Sequence, residues 1–362
     1  MISHRNVIAN TLQLVTHEKK YRETQVEPGN YEYQETCLGL LPFSHIYGLV
    51  VICHLTIYRG DQVIVLPKFE MKSYLESIQK YEIQTLYLVP PIIIQMTKSK
   101  PTLDQYNLSS VKAIFTGAAP LGEETAQDLQ KIFPSWAIRQ GYGLTETCTV
   151  VCSTVPEDIY FGSCGSILAG IECRLVTIEG NEITGYDQPG ELWVKGPAVV
   201  QGYLNNPKAT QETFVDGYMR TGDEAVIRKN PTSGYEHVFI TDRIKELIKV
   251  KGLQVAPAEL EAHLLTHPFV NDCVVISVPS DREGEVPKAF VVKSPNVGLE
   301  DSDAVVRREI SKHVETHKAR HKWLKGGVEF IDVVPKSPSG KILRRLMRDK
   351  EKEKRRKAGA KL

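Results

Sequence analysis

VKAIFTGAAPLGEETAQDLQKIFPSWAIRQGYGLTE, residues 111–146, decides the fold. It reads as an apolar strand (VKAIFTG), a glycine-rich turn, an amphipathic helical stretch (LGEETAQDLQKIF), a second strand (WAIRQ) and a second glycine-rich turn (GYGLTE). Strand, helix and strand in that order argue for parallel strands joined by a crossover helix. The same alternation extends upstream through DQVIVLP, MKSYLESIQKY and IQTLYLV. In such sheets ligands sit beyond the carboxyl ends of strands. TGAAPLG (116–122) and GYGLTE (141–146) each directly follow a strand, so both turns are expected to face one pocket.

Gly141 and Gly143 start a dinucleotide pattern, but Glu146 stands where the third glycine belongs. A carboxylate there would repel a pyrophosphate at a helix N-terminus. An acid beside phosphates makes sense when a cation lies between them, because Mg²⁺ takes one or two carboxylates together with phosphate oxygens. Glu146 is therefore the candidate metal ligand. Thr145 supplies a further oxygen and Tyr142 an aromatic face for stacking a base, while the alternative reading of GYGLTE is an ordinary strand-to-helix turn.

The chain of 362 residues is 41% hydrophobic and 25% charged with a formal net charge of +1, which fits a globular protein of more than one domain and gives no footprint for nucleic acid. The longest apolar run, IYGLVVICHLTIY (46–58), falls short of the roughly 18 residues that span a bilayer and reads as core. No apolar signal segment opens the sequence. The seven cysteines lack paired C-x-x-C spacing, so reduced intracellular thiols are expected and zinc is not. From Lys341 onward eleven Lys or Arg face three acids, a basic tail that reads as a solvated helix face or a frayed end. The final Ala360-Lys361-Leu362 differs from the S-K-L peroxisomal address only in its small first residue.

Between about 160 and 240 the pattern becomes short strands and turns (ECRLVTI, GELWVKG, YEHVFIT). Beyond Asp242 come strands ELIKV, DCVVISV and KAFVVK, a helix opened by Pro257, and a long helix near 302–317. The expected fold is α/β. A large N-terminal domain (1–241), present in part, combines a parallel sheet with a small antiparallel subdomain, and a smaller mobile α+β domain (242–362) follows.

Three more polar clusters carry candidate chemistry. In YMRTGDEAVI (218–227), Asp223 after a Thr-Gly turn can accept both hydroxyls of a ribose, although T-G-D is more often a plain turn. In ITDRIKELIKVKGLQVAPAELE (240–261), Asp242, Arg243 and Lys245 crowd the domain boundary, where a few residues can absorb a hinge motion. Lys249 and Lys251 otherwise read as solvated lysines on a hairpin. PKSPSGKILRR (335–345) is not a P-loop, since Pro335 replaces the first glycine and Ile342 the Ser or Thr, but it presents Lys341 as a point charge suited to phosphoryl chemistry. No G-x-S-x-G occurs, which disfavours a serine hydrolase.

PFSHIYG, TGAAPLG, QGYGLTE, RTGD, DRIKELIKVKG-x-QVAPAELE and PKSPSGK, in that order, resemble the acyl-adenylate-forming superfamily, most closely its 4-coumarate:CoA ligase and luciferase branch, across essentially the whole chain. The resemblance implies an acid-thiol ligase: a carboxylic acid (aryl-propenoic or fatty) and ATP give acyl-AMP, and CoA then displaces AMP. It assigns Thr145 and Glu146 to Mg²⁺-ATP, Tyr142 to adenine, Asp223 with Arg243 to the ribose, and Lys341 to the charge of adenylation. His45 and Tyr47 with Gly117, Ala118, Ala119 and Gly141 resemble the acyl-pocket wall, and Gln140 and Gly143 belong to the nucleotide segment. Lys245 resembles the hinge, and Lys249, Lys251 and Gln254 the groups of the thioester step. The family's Ser/Thr/Gly-rich phosphate loop precedes the segment that here reads MISHRN, so the resemblance implies an N-terminally truncated sequence. Such a chain is expected to make little acyl-AMP and to expose apolar surface. Competing readings are a catalytically impaired nucleotide-binding fragment, a luciferase-like oxidase and a peptide-synthetase-like adenylating domain. The enzyme class together with Ala-Lys-Leu favours a peroxisomal location through an import receptor, and otherwise a cytoplasmic one.

Overall fold

The computed structural model describes residues 1–26, 32–295, 302–337 and 340–359, and the chain divides into two compact units, Met1–Ile240 and Thr241–Leu362. Ala360-Lys361-Leu362, Pro338 and Ser339 lie outside the described residues.

The first unit is built on a seven-stranded sheet. In chain order its strands are β1 (Thr36–Gly39), β2 (Gln62–Val65), β3 (Thr85–Leu88), β4 (Ala113–Thr116), β5 (Ala137–Leu144), β6 (Thr149–Ser153) and β7 (Ser166–Ile167), and in space they lie β2-β1-β3-β4-β5-β6-β7. The first five in that spatial order run parallel, whereas β6 and β7 join antiparallel. β3 and β4 are buried on both faces, which is why their sequences, TLYL and AIFT, are mostly apolar rather than alternating. The crossover helices Met71–Tyr81 and Glu123–Ile132 turn Tyr74, Leu75, Ile78, Ala126 and Leu129 onto the sheet. The run read as core folds as a π-helical segment, Tyr47–Leu55, that buries Val50, Val51, Ile52 and Leu55.

GYGLTE is not the turn its glycines suggest. Gly141 to Leu144 continue β5 and pair with β6 in a hairpin closed by a short turn at Thr145–Thr147. A Cβ at Gly143 would lie 1.4 Å from the Thr149 carbonyl oxygen, so glycine here lets two backbones meet rather than bend.

The helix His4–Thr24 docks through polar groups. Asn10 donates to the Val150 carbonyl at 2.7 Å and accepts from its amide at 3.0 Å, so one side chain occupies both backbone groups of a β6 residue. Deeper along the helix, Glu18 meets Arg139 at 2.5 Å and Arg59 at 2.9 Å. The opposite face carries exposed Ile8 and Leu12, and Ile57, Tyr58 and Val65 are also exposed.

An antiparallel sheet completes the unit, from β8 (Glu172–Val176), β9 (Glu182–Ile183), β10 (Gly190–Lys195), β11 (Phe214–Val215), β12 (Tyr218–Lys229) and β13 (Glu236–Arg243), in the order β11-β12-β10-β8-β9 with β13 on β12. β13 carries the chain across the division between the units.

The second unit holds β14 (Ile248–Val250), β15 (Leu253–Val255), β16 (Val270–Ser280), β17 (Gly284–Lys293) and β18 (Val328–Phe330), in the order β15-β14-β17-β16 with β18 parallel to β17. Helices Pro257–Leu265 and Asp303–His317 pack Leu260, Leu264, Val306, Ile310 and Val314 into its core. The basic tail is a helix, Arg344–Gly359, rather than a frayed end. Arg344 pairs with buried Glu261 at 2.5 Å and Arg348 with half-buried Glu246, and the helix's own buried Glu351 accepts from Lys288 at 2.7 Å, while Met347 is also buried. A charge count in sequence cannot show that such groups face partners on other elements.

Candidate active site

In the first unit, the carboxyl end of β4 lies beside Gln140 of β5, and the segment after β4 meets the rest of β5 there. A Cβ at Gly117 would sit 3.5 Å from both the Gly141 carbonyl oxygen and the Tyr47 ring. Tyr47 is buried and donates to the Phe115 carbonyl at 2.7 Å, and its own amide donates to His45 Nδ1 at 3.3 Å. His45 is thus held at the lip of this group, half-buried. Ala118 is exposed with φ 67°, a left-handed conformation that costs a non-glycine residue about 1–3 kcal/mol and concentrates at functional turns. Ala119 follows it, half-buried.

Gln140 is buried and serves as a strut. Its side-chain Oε1 accepts from the Leu121 backbone amide at 3.1 Å and its side-chain Nε2 donates to Cys164 Sγ at 3.2 Å, which fixes the end of the TGAAPLG turn to β5.

Two side chains farther along the hairpin are oriented by partners the sequence does not place nearby. Tyr142 donates to Asp223 Oδ2 at 2.6 Å, joining β5 to β12. Burial, reinforced by the Asp223 charge, pushes the Tyr142 phenol far up, so it remains a donor at any physiological pH. Asp223 is itself buried and follows Gly222, whose φ of 71° makes the bend that turns the acid inward. Thr145 is exposed, and Glu146 is half-buried with its Oε1 accepting from the Tyr203 hydroxyl at 2.9 Å. Tyr203 escaped the sequence reading, because nothing in GYLNN marks it as the partner of an acid 57 residues earlier.

In the second unit, Lys249 and Gln254 are direct cross-strand neighbours on the β14-β15 hairpin. The turn is made by Lys251 and Gly252, both at positive φ, and Lys251 Nζ lies 3.5 Å from Glu283. Arg243 and Lys245 are exposed at the end of β13, where Asp242 accepts from the Ala258 amide at 3.0 Å and ties that end to the Pro257 helix. Lys341 is exposed, and its amide and carbonyl close a tight loop with Ser337.

One constellation was missed altogether. Ser163 Oγ lies 2.7 Å from His237 Nδ1, and His237 Nε2 lies 2.8 Å from Asp158. All three residues are buried, and Ser163 Oγ also accepts from the Gly165 amide at 2.7 Å. A nucleophile needs access to substrate, so this trio is a structural link between the segment joining β6 to β7 and β13. Its members are too far apart in sequence for any spacing to reveal it.

Residues 1–204 match the family described as AMP-binding enzyme, and residues 259–341 match AMP-binding enzyme C-terminal domain. Acyl-CoA ligase lcsD of Purpureocillium lilacinum is 47% identical over 351 residues, which cover 97% of this chain and 88% of that protein. Probable 4-coumarate–CoA ligase 1 of Dictyostelium discoideum is 39% identical, with 96% of this chain and 60% of that protein covered. ATP-bound MatB from Rhodopseudomonas palustris superposes with a TM-score of 0.79 at 27% identity, covering 97% of this chain and 64% of MatB. The chain therefore spans less than two thirds of the length of the last two. With both family matches falling on the segments whose geometry is described above, the chain belongs to the AMP-binding enzymes.

Proposed function

We propose that the protein joins a carboxylic acid to CoA by way of an acyl-adenylate. The observation that carries this reading is the Tyr142–Asp223 hydrogen bond, which sets an aromatic ring and a buried carboxylate together, as an adenosine requires. Asp223 fits the ribose: Tyr142 engages Oδ2, and a carboxylate has further acceptor capacity for hydroxyl donors. Glu146 fits Mg²⁺, since Tyr203 orients Oε1 and the other oxygen can face the ion, which would neutralise phosphate charge when bound. Thr145 stands beside it as an oxygen ligand to the phosphates.

The remaining residues act on position and charge. Gln140 and the strained Ala118 hold the TGAAPLG turn, Tyr47 and His45 wall the acyl group, and Lys341 supplies a cation to the oxygens that gain charge as the acid attacks the α-phosphate. A carboxylate needs such activation before a thiol can displace anything from it, and phosphoryl transfer is catalysed chiefly by positioning and electrostatics. Arg243 supports the ribose, Lys245 is the hinge, and Lys249, Lys251 and Gln254 serve the thioester step. The relatives' names support the class of acid-thiol ligase. Peroxisomal delivery through Ala360-Lys361-Leu362 is part of the proposal; a diffuse cytosolic signal from a reporter carrying the last dozen residues would count against it.

The direct test is acid-dependent pyrophosphate release from ATP over a panel of aromatic and aliphatic acids, followed by acyl-CoA detection. Weak release confined to one acid class is expected, together with acyl-CoA formation when the matching acyl-AMP is supplied. A chain that binds ATP but gives neither pyrophosphate nor, from supplied acyl-AMP, acyl-CoA with any acid would overturn the reading.

A further inference from the structure

The second unit gathers histidines at one helix–helix contact, and none of them is among the residues assigned above. His263, on the helix Pro257–Leu265, stacks on His313, on the helix Asp303–His317, with ring centroids 4.2 Å apart and planes within 2°. His317, one turn after His313, lies 5.0 Å from it and 5.3 Å from His263. One ring nitrogen from each of the three lies within 4.8 Å of the others.

Their hydrogen bonds dictate which nitrogen bears the lone pair. A carbonyl only accepts, so His263 Nε2, 3.4 Å from the His313 carbonyl, carries the proton, as does His317 Nδ1, 2.8 Å from the same oxygen. The Thr266 hydroxyl donates to the His263 carbonyl at 2.8 Å, so His313 Nε2, 3.1 Å from that hydroxyl, is the donor between them. The lone pairs therefore fall on Nδ1 of His263, Nδ1 of His313 and Nε2 of His317. Ligating histidines elsewhere are held in the same way, by donating the opposite N–H to a carbonyl or hydroxyl.

We propose that His263, His313 and His317 form a site for one divalent transition-metal ion of the zinc class. Imidazole donors favour zinc, copper and nickel over magnesium or calcium. With metal–nitrogen bonds of about 2.0–2.1 Å, tetrahedral ligands stand about 3.4 Å apart, so a spread of up to 4.8 Å must close by up to about 1.4 Å, and the stacked His263 and His313 rings must tilt out of parallel for their in-plane lone pairs to converge, both by side-chain rotation. Water would fill the fourth position. The ion would clip together two helices whose ligands are 50 residues apart, adding stability to the unit in proportion to its occupancy.

The test uses tag-free protein stripped with EDTA and titrated with Zn²⁺ in a non-coordinating buffer, then with Co²⁺ as a spectroscopic probe. One equivalent of Zn²⁺ should bind, Co²⁺ should give the strong visible bands of a tetrahedral site, and the melting temperature should rise on Zn²⁺ addition. His317→Ala, at an exposed position that leaves the core intact, should weaken Zn²⁺ binding by at least about tenfold, and His313→Ala likewise. A wild-type protein that binds Zn²⁺ no better than the His313→Ala, His317→Ala double variant, with both folded by circular dichroism, would overturn the proposal. These readouts are independent of ligase activity, so they stand or fall apart from the proposed reaction.

Discussion

The phenol of Tyr142 and the carboxylate of Asp223 meet at 2.6 Å although 81 residues separate them, and this contact joins the two sheets of the first unit at the nucleotide segment. Asp223→Ala should weaken ATP binding, because a hydrogen bond to a charged group is worth about 1.5–3 kcal/mol, or roughly ten- to more than a hundredfold in affinity. Calorimetric titration of wild type and variant measures this directly. Equal wild-type affinity for ATP and its 2′,3′-dideoxy analogue would show that Asp223 does not hold the ribose.

Lys341→Ala should leave ATP affinity nearly unchanged while lowering the adenylation rate by about 10²–10³, the usual loss when a group aimed at developing charge is removed. Its side chain is exposed, so its removal uncovers no core. Pyrophosphate release under saturating ATP gives the rate, and an unchanged rate in the variant removes Lys341 from the reaction.

The parallel sheet was legible because β3 and β4 are mostly apolar runs and the intervening helices show a single stripe, both local patterns. The family was legible too, through the order of the motifs. What sequence could not give was contact between distant segments: Tyr203 on Glu146, Gln140 as a strut for Leu121, and the buried Ser163–His237–Asp158 link all depend on where strands return in space. Gly143 shows a subtler failure. Glycines signal turns because of their backbone freedom, but here glycine answers to the close approach of Thr149, and that demand belongs to a partner strand.

Gly143→Ala tests that reading. The new methyl group would lie 1.4 Å from a backbone oxygen, which neither rotamer change nor side-chain motion can relieve, so the β5-β6 hairpin must separate. The loss should exceed about 3 kcal/mol, the upper range of ordinary overpacking, whereas Gly222→Ala at an open position should cost less even though its φ is positive. Urea denaturation of both variants decides it, and similar midpoints for the two would contradict the packing argument.

The last prediction concerns Glu18, whose carboxylate meets the guanidinium groups of Arg139 and Arg59 inside the first unit. Burial alone would raise this acid, but the charges of Arg139 and Arg59 outweigh it and hold the group at about 2, against an ordinary 4.5. A depressed acid is deprotonated in the folded chain while the unfolded chain still takes up a proton, so its stabilisation is complete above about pH 5 and is lost as pH falls from about 4.5 to 2. The difference corresponds to about 3 kcal/mol. Glu35 opposes this trend, since burial raises its carboxyl and favours the folded state as pH falls. Comparison with Glu18→Gln isolates the Glu18 contribution, because Glu35 is common to both proteins. At pH 7 the variant leaves two buried guanidinium groups without their anion and should be about 3–5 kcal/mol less stable, the range for breaking a buried pair from one side. At pH 3 the gap should shrink markedly, since wild-type Glu18 is then losing its advantage. Denaturation midpoints measured at several pH values from 3 to 7 would show this convergence; a gap that stays constant with pH would mean that Glu18 stabilises the fold by shape and hydrogen bonding rather than by charge.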